Sequence, residues 1–191
     1  MSTVRRLVRA IGLQALGGLA VWLIVAAVAA NVDSAALDLV SVLLLFAQLV
    51  IVPLGLLLMP APGASPLARA LVSSGRFGFR IGGVAALASF ALPRGEVAAA
   101  VAALYLVPAL LVAAASLLRA PLVRRASDLA GVAAGPFLAA GAVLFVLYRQ
   151  DVAFAGFSEL AVQVASVHLH VVGFGLLLMA GALARRTARL G

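Results

Sequence analysis

The chain has 191 residues, 65% of them hydrophobic and 10% charged, with a mean hydropathy of +1.23 and a net charge of +8. That apolar share lies far above the near-half of a water-soluble globular domain, so the expected class is an all-α bundle of transmembrane helices. Cysteine is absent, which excludes disulfides, thiolate metal sites and a cysteine nucleophile.

In chain order, apolar runs able to cross roughly 30 Å of hydrocarbon fall at about 10–30, 37–59, 78–93, 97–118, 129–148 and 159–183. Six spans are therefore predicted in one polytopic membrane domain, residues 1–191. The first run, with MSTVRRLVRA ahead of it, also has some features of a signal peptide cut near Asn31. Its apolar part is longer than the roughly 7–15 residues usual in such segments, which favours a span. Residues 60–76, PAPGASPLARALVSSGR, read as a connector. The third run is the least apolar, with Arg80 inside it and Pro93 at its end. Gly131 and Gly135 beside Pro136, and Pro53 and Pro108 in other runs, read as sites of close helix contact and kinks.

Every basic residue is an arginine. Arg5, Arg6, Arg9, Arg69, Arg76, Arg80, Arg119, Arg124, Arg125, Arg185, Arg186 and Arg189 fall on one side of the six-span arrangement, and only Arg94 and Arg149 on the other. The positive-inside rule then puts both termini in the cytoplasm and the chain in the cell membrane as a multi-pass protein. Asp33, Asp38, Glu96, Asp151 and Glu159 sort to the opposite, outer side, with Asp128 inside. The arginine clusters read as topology signals and contacts with anionic membrane lipids. Without a basic stripe interleaved with aromatics, no nucleic-acid partner is expected.

The last run carries the most information. At ~100° per residue, Glu159, Gln163, Ser166, His170 and Gly173 share one face, and His168 points away from it. A rise of ~1.5 Å per residue puts His170 roughly 16 Å below Glu159, near the bilayer midplane. The second run has a looser polar row, Asp38, Ser41 and Gln48, and the fourth has Glu96 at its outer end and Tyr105 roughly 13 Å deeper. If these rows face one another, they line a pocket with an acidic rim and a floor of imidazole, amide and phenol. Buried polar groups in hydrocarbon are costly unless partnered, so the rows require at least a hydrogen-bonded network.

The chemistry that fits is proton transfer. Two histidines two residues apart on a helix point apart and cannot chelate one ion, and the spans supply too few carboxylates for a zinc or di-iron site. No metal and no cofactor are therefore expected; a haem held by one histidine with Met59 or Met179 is a weaker option. No nucleophile motif or phosphate loop is present. Glu159, Asp38 and Glu96 are the candidate acids and His170 the candidate base. His168 completes the candidate catalytic set, and Gln163, Gln48, Tyr105 and Ser166 are the candidate substrate-binding residues.

Two stretches, LLLFAQLVIVPLG at 43–55 and AVQVASVHLHVVGF at 161–174, resemble the YndJ-like integral membrane family. His168, His170, Gly173 and Phe174 match the family's late histidine motif, whereas Gln48 stands where the family has proline and Ser166 where it has alanine. The resemblance adds weight to both histidines and implies a fold group more than a reaction. The expected function is a small, cofactor-free cyclase or isomerase working by acid/base chemistry on a lipophilic, terpenoid-type substrate. The alternative is a non-enzymatic carrier, lipid-binding or assembly subunit, for which a homo-oligomer would supply the symmetry that six helices without a repeat lack.

Overall fold

A computed structural model describes residues 3–31, 38–59, 65–123, 125–152 and 154–188. Asp33, Arg124 and Arg189 lie outside the described residues. Six helices succeed one another: α1 Thr3–Asn31, α2 Leu39–Leu58, α3 Pro66–Phe90, α4 Glu96–Leu117, α5 Ala126–Gln150 and α6 Glu159–Thr187. All but α3 are long and apolar enough to cross a membrane. α3 has the length, 25 residues or roughly 37 Å, but Arg69, Arg76 and Arg80 lower its hydropathy.

The connector expected over 60–76 is corrected from Pro66 onward, where the chain is already helical. The Ser65 hydroxyl accepts from the Ala68 N–H at 3.4 Å, and Pro66 occupies the first turn, where its missing N–H costs nothing. Asp38 caps α2 in the same way, accepting from the Ser41 N–H at 2.7 Å, and Ser158 caps α6. α5 stops at Asp151, whose left-handed backbone (φ 61°) closes the last turn.

In space the helices run α3, α4, α5, α6, α2, with α3 and α2 meeting again at the far edge and α1 laid across α2 from outside. Small residues let the backbones close. Gly78 lies so near Pro108 that a Cβ would stand 3.0 Å from the proline ring, and one on Gly82 would stand 3.1 Å from the Tyr105 Cα. The Trp22 indole N–H donates to the Val42 carbonyl at 2.8 Å and fixes α1 to α2.

Two helices depart from the regular ladder at mid-length. α2 widens to a π turn over Ala47–Ile51, and α6 over Leu169–Leu176. In α2 the cause is Pro53, which cannot donate to the Leu49 carbonyl and crowds it. In α6 the widened stretch holds Gly173 and Gly175, whose backbones press on Phe137 and Ile51. The two π segments pack against each other.

Candidate functional site

The polar face of α6 turns inward. Gln163, Ser166 and His170 are buried, while His168 is exposed on the bundle's outside and meets none of them. Two polar layers result, one at the acidic end and one at mid-depth.

At the acidic end most polar groups have partners, the Arg149 Nε being the exception among the described residues. The Gln163 side-chain amide donates to Asp38 at 3.1 Å and to the Ser41 hydroxyl at 2.8 Å, and Ser41 shares a hydrogen with the Tyr148 hydroxyl at 3.3 Å. Glu159 pairs with Arg94, which also lies 3.6 Å from Asp151 and stacks over the Tyr148 ring. Glu159 therefore meets a guanidinium and not the apolar setting that acid catalysis would use. Glu96 is exposed on the first turn of α4, outside this network. Arg149 is buried, with no carboxylate paired to it among the described residues. It donates to the Ser89 and Leu92 carbonyls at 2.7 Å each, closing the end of α3, and lies over the Phe90 ring.

At mid-depth the partners are incomplete. The His170 Nδ1 lies 2.7 Å from the Ser166 carbonyl oxygen, and the Ser166 hydroxyl donates to the Gly141 carbonyl at 2.8 Å. A carbonyl oxygen only accepts, so Nδ1 carries the proton and Nε2 presents its lone pair. Nε2 is buried and unpartnered among the described residues, as are the Tyr105 hydroxyl and both amide atoms of Gln48. The Tyr105 and His170 rings are 5.7 Å apart, and the Phe79 ring stands 5.3 Å from Tyr105 on its other side. Gln48 and His170 occupy the two π segments that pack together. Such segments are frequent at functional positions because they spend regular backbone hydrogen bonds on local geometry.

Two cavities lie beside the polar rows. One, about 300 Å³, opens at the acidic end beside Tyr148, Asp151 and Glu159. The other, about 240 Å³, is a side cleft between α1, α2 and α3 whose inner wall includes Gln48 and Phe79. Neither is lined by His170 or Tyr105. The bonded layer of Tyr148, Ser41 and Gln163 belongs to the acidic end, and its side chains are tied to one another instead of lining a descending pocket. Sequence reasoning missed three participants. Gly141 admits the imidazole, since a Cβ there would stand 2.7 Å from Nδ1, and Tyr148 and Arg80 reach the site only through tertiary contacts. Among the described residues no three of His, Asp and Glu gather as around a metal ion.

The pattern of the family described as YndJ-like protein matches residues 42–190. The chain belongs to the YndJ-like family. The match takes in both π segments, Tyr105 and His170, and leaves α1 outside. No curated protein and no solved structure matches the chain.

Proposed function

We propose that this YndJ-like protein binds a lipophilic molecule through a single carbonyl group at mid-membrane and shifts a proton on it, as an intramembrane isomerase or cyclase acting without a cofactor. The observation that carries this reading is the fixed tautomer of His170. Its Nδ1 is committed to Ser166, which leaves a buried, unpartnered Nε2 on a ring 5.7 Å from that of Tyr105, whose hydroxyl is also unpartnered among the described residues. A substrate carbonyl oxygen takes the phenol's hydrogen bond as enolate charge builds on it. Nε2 accepts the proton from the carbon beside the carbonyl, and the imidazolium returns it to a different carbon of the conjugated enolate, which restores the neutral histidine. The low-polarity surroundings of Phe79 and Phe145 strengthen both interactions. Access runs from the side cleft, where rotation of Phe79 and Gln48 would join it to the Tyr105 ring. Asp38, Glu159 and Glu96 serve the acidic end in this reading, and His170 and Tyr105 replace them as the reacting pair. The arginine-rich end faces the cytoplasm of a cell whose surface membrane holds the protein.

A second reading, a carrier or lipid-binding subunit without conversion, is favoured by the pairing of Glu159 with Arg94 and of Asp38 with Gln163, which leaves no carboxylate at the mid-depth layer. Lipid extracts of cells making the wild type, His170→Ala and Tyr105→Phe separate the two. A lipid species that changes with wild type and not with either variant supports conversion. Identical profiles from equally inserted proteins remove the enzyme and leave binding.

A further inference from the structure

The side cleft has a chemistry of its own. Gln48 is 2% exposed, lines the cleft, and has neither amide atom satisfied. Arg80 lines the same cleft, with its guanidinium 6.0 Å from the centre of the Phe77 ring and no ion pair among the described residues. Its depth follows from its neighbour: Arg76 donates to the Leu56 carbonyl near the arginine-rich end of α2, and Arg80 lies one turn, roughly 6 Å, farther in. Arg80 is exposed at the cleft's edge, and the Gln48 amide, buried beside Leu49 with both atoms unpartnered, is expensive unless a ligand meets it.

The geometry points to a binding site for the acidic head group of a membrane amphiphile, a carboxylate or phosphate, paired with Arg80 and hydrogen-bonded by Gln48. Arg80 supplies the charge, the Gln48 Nε2 donates to an oxygen, and Oε1 accepts from a hydroxyl or water held by the head group. A cleft of about 240 Å³ is below the roughly 300–1,000 Å³ of cavities that enclose a whole drug-sized ligand. It takes the head and the first methylenes, and the tail stays in the bilayer. The site does not rest on proton transfer at His170, because Arg80 and Gln48 face the cleft whatever that histidine does.

The test uses the full chain in phosphatidylcholine vesicles with three spin-labelled probes: ionised stearate, its methyl ester and phosphatidylglycerol. Motionally restricted signal reports bound probe. At least one anionic probe is expected to be enriched about fivefold over the ester, the factor one basic residue near the membrane surface provides. Whichever is enriched identifies free fatty acid or phospholipid as the source. Arg80→Gln removes the charge. Gly17→Leu fills the cleft, since a Cβ on Gly17 meets nothing within 4 Å. Both should abolish the preference, and Arg69→Gln, which alters an exposed arginine away from the cleft, should keep it. No enrichment in wild type, a preference that survives either cleft variant, or equal loss in Arg69→Gln overturns the proposal.

Discussion

The acidic end and the mid-depth layer are both polar, both buried in part, and separated by only a few helical turns, yet they are built to opposite rules. At the end, Asp38, Ser41, Gln163 and Tyr148 bond to one another and Arg149 closes α3 through one terminal nitrogen, only its Nε staying unpaired. At mid-depth, Gln48, Tyr105 and His170 each keep an atom unpaired, on or beside helices whose ladders have been widened. A polar group that stabilises a bundle has its partners inside the bundle. One kept without them costs stability, and that cost is offset only by something that arrives.

That contrast can be broken by measuring unfolding in detergent. Arg149→Met should cost the most, about 2–4 kcal/mol, because one buried and one half-buried carbonyl lose their charged donor; a loss under about 0.5 kcal/mol would falsify the structural role of the acidic end. Gln163→Leu comes next, at about 1 kcal/mol, the scale of an interhelical hydrogen bond in membranes. If it proves neutral, the bonds to Asp38 and Ser41 do not hold α6 to α2. Tyr105→Phe and Gln48→Leu should lie within about 0.5 kcal/mol of wild type or be stabilising, since each removes an unsatisfied group and no bond. A clear loss of stability in either would mean that the mid-depth layer is structural after all. His168→Phe, on the outside of the bundle, should change neither stability, within about 0.5 kcal/mol, nor the lipid profile. An altered profile would return that histidine to the site.

Much of the frame was legible from residues. The inward row of α6 followed from 3.6-residue periodicity, and Gln163, Ser166 and His170 are buried as that row requires. His168 was expected on the opposite face and is exposed there. The start of α3 was also written in the chain, as Ser65 followed by Pro66, but Arg69, Arg76 and the Ser-Ser-Gly of 73–75 outweighed it in a reading based on hydropathy. Glu159 and Asp38 were correctly placed at one end, and nothing in spacing told that they would be consumed by Arg94 and Gln163.

The sequence by itself determined residence in a membrane, the number of helices, and which face of each carries polar groups, because hydrophobic length and helical period act within a single segment. Only the tertiary structure decided that the polar rows separate into a largely bonded end and a middle with unpaired atoms, that His170 offers Nε2 and not Nδ1, and that Arg80 shares a cleft with Gln48. These depend on which helix lies beside which and how closely glycines such as Gly141 let them approach. A periodicity fixes a direction from a helix axis and leaves open what stands there.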